Sequence, residues 1–548
     1  MTLLRLTWVQ PEDLLPHELH QAKEDGRDAK RIAARWRAAG GPETPRSTGA
    51  SPTPAPPALR ALAIRLLDEL AELPCPLADR EPTDLAAIRS ATPTWPEGAR
   101  GHSPARESGG KAPSQPPTPP VQGPGRSPEG VQGRSPAQGP GPEAPSQPPT
   151  PGVQGAEPPL GGLGAKPPGT PPPTSTHPHP RRVSGRGGEG RTNALHAAWL
   201  GRAAGCLLGK PVEKLPLTGI REIGRATANW PLHTWFTATG LPAELATTYP
   251  WNRRSAPTSL AENIDGMPED DDLNYPLLGL LLLQRHGPAF TTTDVARLWL
   301  DELPAGRTFT AERIAYRNLL DGIEPPHTAT HRNPFREWIG AAIRADVHGW
   351  TNPGDPAAAA EQAHRDAVLT HTANGVYGAM FTAAAISLAA TGAYDVHGCL
   401  DGGLAVIPPR SRLAEAVRLG IRLAREEADF DTVVDHLHTA LGAYHWVHSI
   451  PNAALLAAAL THADGDFSGS ICRAVSGGWD TDSNGATAGS LAGLLAGHPD
   501  ALPARWTAPL KNRLATTVAD FDGTGFDTLA ELTARLTSPF TPQEVRSA

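Results

Sequence analysis

A chain of 548 residues with 60 prolines, 56 glycines and a formal net charge of −8 is large, unevenly composed and mildly acidic. That charge argues against a nucleic-acid-binding protein, which needs a basic face. Four cysteines (Cys75, Cys206, Cys399, Cys472) stand far apart without CxxC spacing, which excludes a disulfide scaffold and a cysteine-based zinc site and suits a reducing compartment.

In chain order, residues 1–8 meet Pro11, Glu12 and Asp13 before any signal-like apolar region develops. No apolar run approaches the ~18–20 residues of a membrane span. The expectation is a soluble, cytoplasmic protein with no membrane partner. Residues 1–98 read as a small N-terminal helical region. Ile32, Trp36 and the Arg31/Arg35 pair recur at helical spacing, and Leu62, Leu66, Leu67 and Leu70 form a second stripe. These helices suit docking on the rest of the chain or on a partner, and no catalytic pattern occurs among them.

Residues 99–190 contain no Phe, Tyr or Trp and are dominated by Pro, Gly, Ser and Gln. The octapeptide at 112–119 recurs at 144–151, and no apolar face repeats with it. Such a segment cannot bury enough apolar surface to offset its ordering entropy, so it reads as a disordered linker. Arg181, Arg182, Arg186 and Arg191 make its basic end soluble.

Residues 191–548 read as one all-α domain. Stretches of small apolar residues at 375–390, 452–460 and 484–497 favour buried helix, and Pro and Gly punctuate between them. Two acidic clusters each run into such a helix. The first is Pro268-Glu269-Asp270-Asp271-Asp272-Leu273, and the second is Gly477-Gly478-Trp479-Asp480-Thr481-Asp482-Ser483. Taken alone, each suits a helix cap or a solvated face. Taken together they suit one site for hard divalent cations, which want clustered oxygen ligands.

With the segment Gly205-Cys206-Leu207-Leu208-Gly209-Lys210-Pro211-Val212-Glu213, these clusters resemble the ADP-ribosylglycohydrolase family, of the dinitrogenase reductase-activating glycohydrolase type. The resemblance covers about residues 191–500 and implies a large orthogonal helical bundle. It also implies two Mg²⁺ or Mn²⁺ ions held by Asp270, Asp271, Asp272, Asp480, Asp482 and Ser483. The implied activity is metal-dependent hydrolysis of the bond joining ADP-ribose, or a related ribosyl group, to a protein side chain or small molecule. The alternative is a catalytically silent member that acts by binding. Where the family has Thr-Asp-Asp this chain has Glu-Asp-Asp-Asp, so either Glu269 or Asp270 takes the Thr place. Cys206 stands where many members have Asp. The base is one of Glu269, Asp270 and Glu213. Trp479 either shapes the pocket or covers the helix start, and His371 and Asn374 read as structural.

Overall fold

The computed structural model describes residues 5–45, 49–96 and 186–537. The expected linker lies outside these except for residues 186–190, and Gly188 already opens the first helix of the domain, Gly188–Gly209. The expectation of an all-α chain holds. Among the described residues there is no strand, and the extended segments make only the isolated bridges Met267↔Leu514 and Trp338↔His448.

The helix Ala373–Thr391 shows why the class was legible. Ala is its commonest residue, few residues are β-branched, and Gly392 in the left-handed region ends it. All its residues are buried, so it needs no polar face. At 19 residues with mean hydropathy 1.3 it is long and apolar enough to cross a membrane, which corrects the reading that no run approaches that length. Its apolar window is entirely covered by other helices of the protein.

Glycines set the closest helix pair. On Gly188–Gly209, a Cβ at Gly201 would lie 2.2 Å from the Gly489 carbonyl oxygen, and one at Gly205 would lie 1.8 Å from that of Gly485. At Gly209 it would meet the Thr481 backbone at 2.3 Å. The converse holds on Thr481–Ala496, where Gly485, Gly489 and Gly493 face the backbone of Gly205, Gly201 and Ala197. One number rises as the other falls, so the two helices are antiparallel and touch backbone to backbone.

The N-terminal region, which holds the helices Pro11–Glu24, Lys30–Ala38 and Pro57–Ala71, docks on this domain through buried ion pairs of Glu18, Asp25 and Glu81. Arg336 reaches Glu18 at 2.8 Å and Asp25 at 2.7 Å. Arg412 reaches Glu81 at 2.7 Å and Glu337 at 3.0 Å. Asn374 donates to Glu81 and accepts the Leu413 N–H, which makes it a buried joint of this seam. Glu18→Gln keeps the shape and removes one charge, while Arg336 retains Asp25. We expect a loss of about 1–3 kcal/mol in denaturant unfolding; an unchanged midpoint would show that the seam does not depend on this pair.

Candidate functional site

The antiparallel glycine pair brings the start of Thr481–Ala496 to the end of Gly188–Gly209. The Thr481 hydroxyl donates to the Gly209 carbonyl at 2.8 Å and fixes the register. Just before it, Gly478 (φ 79°) and Trp479 (φ 55°) are both left-handed and make a tight turn. The Trp479 ring stacks on His438 with centroids 4.0 Å apart, so it covers the helix start. It is not among the residues lining the adjacent cavity. Asn452 locks the turn from the other side. Its carbonyl oxygen accepts from the Asp480 N–H at 3.1 Å and from the Asn484 amide at 2.7 Å.

Asp480 occupies the N-cap position, yet its side chain makes no cap hydrogen bond. Capping therefore does not explain it. Asp270 does cap the helix Asp271–His286, accepting the Asp272 N–H at 2.9 Å. That helix start is held against Gly188–Gly209 by buried Arg202. Its guanidinium donates to the Asp272 carbonyl at 2.7 Å and to Asp346 at 2.8 Å, and pairs with the Asp272 carboxylate at 3.4 Å.

A cavity of about 450 Å³ opens over these helix starts, within the usual range for small-ligand sites. Glu213, Glu269, Asp270, Asp271, Asp480, Asp482 and Ser483 all line it. Asp272 does not; its carboxylate lies with Arg202 and beside the Cys206 thiol. Cys206, Asp270 and Asp272 carry donor atoms all within 4.8 Å of one another, a buried cluster beneath the cavity. Asp270 pairs with the Lys210 ammonium, which also reaches the Glu269 carbonyl at 3.3 Å. Glu213 is held by Asn252 at 2.6 Å and Lys214 at 2.7 Å, and Glu269 by Arg307 at 3.0 Å.

The charges divide these carboxylates into two groups. Burial pushes Asp270 up, but the Lys210 ammonium outweighs it and holds the carboxyl below the usual range. Burial pushes Asp271 and Asp480 well up, reinforced by their carboxylate neighbours Asp270 and Asp482 respectively. Asp482 is raised to about 7 by burial and by Glu213 and Asp270. Burial, with Asp270 and Asp272 close by, also pushes the Cys206 thiol well up, so it stays neutral. No cation is paired to Asp271, Asp480 or Asp482 among the described residues. Buried Asp480 and Asp482 and part-buried Asp271, crowded with no ion pair of their own and with a hydroxyl beside them, form a donor set that fits a hard divalent cation.

The ADP-ribosylglycohydrolase family model matches residues 189–544. The chain belongs to the ADP-ribosylglycohydrolase family. A solved structure titled "ADP-ribosylglycohydrolase-related protein complex" is 21% identical, with a TM-score of 0.41, over 64% of this chain and all of that one. Comparison with curated proteins gives no match. Membership makes the protein a glycohydrolase-like enzyme of a family that is typically metal-dependent.

In this member of the family several residues at the site carry no sequence signal. Lys210 sits inside the Gly-x-x-x-Gly-x-x-x-Glu segment and reads there as a surface lysine, but it is buried. Asn452 opens a stretch that reads as buried helix, whereas it holds the second acidic turn. Arg307, Phe309 and Glu312 line the cavity from a stretch with no motif, and Trp8 from the N-terminal region. His371 is buried, hydrogen-bonded to Thr370, and absent from the lining.

Proposed function

We propose that this ADP-ribosylglycohydrolase hydrolyses the glycosidic bond between ADP-ribose, or a related ribosyl group, and a protein side chain or small molecule, with divalent metal. The observation that carries the reading is the convergence of Asp271, Asp480, Asp482 and Ser483 on one cavity with no cation of the protein paired to the three carboxylates. These residues would hold Mg²⁺ or Mn²⁺. The bound cation supplies charge that orients the vicinal hydroxyls of the ribose and stabilises anionic oxygen. Asp270 keeps its proton off and spends its charge on Lys210, which makes it a poor base. Glu213, steadied by Asn252 and Lys214 and close enough to raise Asp482, takes the proton from the attacking water. Glu269, tied to Arg307 and Asn274, orients the ligand.

One observation favours a second reading. The Lys210 ammonium already stands among the carboxylates, as a protein cation in a catalytically silent binding member would. A screen of ADP-ribose linked to Arg, Ser, Asp/Glu, nucleobase and phosphate, with Mg²⁺ or Mn²⁺ and with EDTA, separates the two. We expect ADP-ribose release from at least one linkage, abolished by EDTA. Binding of ADP-ribose with no release from any substrate would give the silent reading.

A further inference from the structure

The family match begins at residue 189, yet one aromatic lining the cavity is Trp8, from the far end of the chain. Its placement is closely specified. The backbone of Trp8 is left-handed (φ 66°), a conformation that a bulky residue adopts only when its surroundings enforce it. Its N–H donates to the Gly49 carbonyl. A Cβ on Gly49 would lie 2.3 Å from the indole, so the loop lies directly against the ring. The ring edge meets Phe335 with centroids 5.5 Å apart, and the Thr7 hydroxyl and carbonyl accept from Arg313 at 2.6 and 3.2 Å. The indole is a fixed wall, only half-buried.

The rest of the lining says what such a wall can meet. Phe309 and Trp446 add two aromatic rings, and Lys214, Arg254 and Arg307 add three cations around the acidic floor. A carboxylate floor suits a metal-held ribose, the cations suit a diphosphate, and a rigid aromatic suits the face of a nucleobase. Resting on the glycohydrolase reading, we infer that the N-terminal region supplies part of the substrate site, with Trp8 the stacking surface for the nucleobase of a nucleoside-diphosphate sugar. The region outside the family domain is then a specificity element, beyond its docking role.

The test is calorimetric binding to the full chain with Mn²⁺ present, using ADP-ribose and ribose 5-phosphate, which lacks the base. Trp8→Leu keeps apolar bulk without a π-face, and Trp8→Phe keeps the face. We expect Trp8→Leu to weaken ADP-ribose about tenfold while moving ribose 5-phosphate less than about twofold, and Trp8→Phe to recover most of the loss. Equal weakening of both ligands, or of neither, overturns the inference. So does loss of cooperative unfolding in both variants, because Trp8 is then a docking residue alone. A wild-type chain that binds no ADP-ribose brings down the glycohydrolase reading and this inference with it. A wild-type chain that binds while Trp8→Leu binds equally well removes only the role of Trp8.

Discussion

Asp482→Asn is expected to abolish turnover, by at least about a hundredfold, and to remove the rise in melting temperature that Mg²⁺ or Mn²⁺ gives the wild-type chain. The substitution keeps shape and a carbonyl oxygen, so the Ser483 N–H that donates to Asp482 at 3.1 Å keeps its acceptor. What disappears is the charge that a hard cation needs. The metal-free protein gives a second, opposite readout. The Asp482 carboxyl is raised to about 7 from its usual 3.8, so between those values the folded chain holds a proton that the unfolded chain has released. Its contribution is therefore fully present at the acid end and is lost as pH rises through about 7. With EDTA at about pH 8, Asp482→Asn should melt above wild type, and the difference should shrink as pH falls and vanish only below the unfolded value of 3.8. Taking the difference between the two proteins isolates this group from the histidines and other carboxylates that titrate nearby. A variant that melts below wild type at every pH, or keeps its activity and metal response, would remove Asp482 from the ligand set.

The second large effect is expected from one methyl group. Gly205→Ala places a carbon 1.8 Å from the Gly485 carbonyl oxygen, and backbone on both sides leaves no flexible side chain to yield. The helices must separate, which we estimate at about 3 kcal/mol of unfolding free energy. Because the same contact sets how the start of Thr481–Ala496 meets the carboxylates, metal affinity should fall with stability. Gly190→Ala on the same helix is the control. Nothing lies within 3.7 Å of its added carbon, so helix propensity predicts a gain of about 0.5–1 kcal/mol. Similar melting of the two variants would refute the backbone-contact account.

These two cases also show what was legible in the chain. Asp271, Asp480, Asp482 and Ser483 were readable as cavity residues because carboxylates at helix starts beside small residues form a local pattern, and local patterns survive folding; Glu213 was readable from the glycine spacing before it. Asp272, expected with them, lies off the cavity lining for a geometric reason. Neighbouring residues on a helix project about 100° apart, so Asp271 and Asp272, the first two residues of their helix, face different ways. Asp271 faces it, and Asp272 turns to Arg202. The register at Glu269 and Asp270 could not be read because it depends on Lys210, whose burial follows from tertiary packing. The docking of the N-terminal helices was left open because Glu18, Asp25 and Glu81 look like ordinary surface acids. Arg336 and Arg412, hundreds of residues on, make them buried ion-pair partners. The fold class was easier, since the burial of a helix such as Ala373–Thr391 is written in its own composition.

The antiparallel glycine pair has a consequence for how the protein is made. Gly205 is synthesised near the beginning of the family domain and its contact Gly485 near the end, so almost the whole domain must leave the ribosome before the two can meet. Until then the acidic start of Asp271–His286 has no Asp480 or Asp482 beside it, and the nascent chain presents isolated carboxylates with no composite site. Contacts this distant along the chain close late and slowly, because the loop entropy must be overcome before they form. On the proposed function, cation capture would be a late event in maturation, and a chain that ends before Thr481 lacks half of the proposed ligands however well its earlier helices fold.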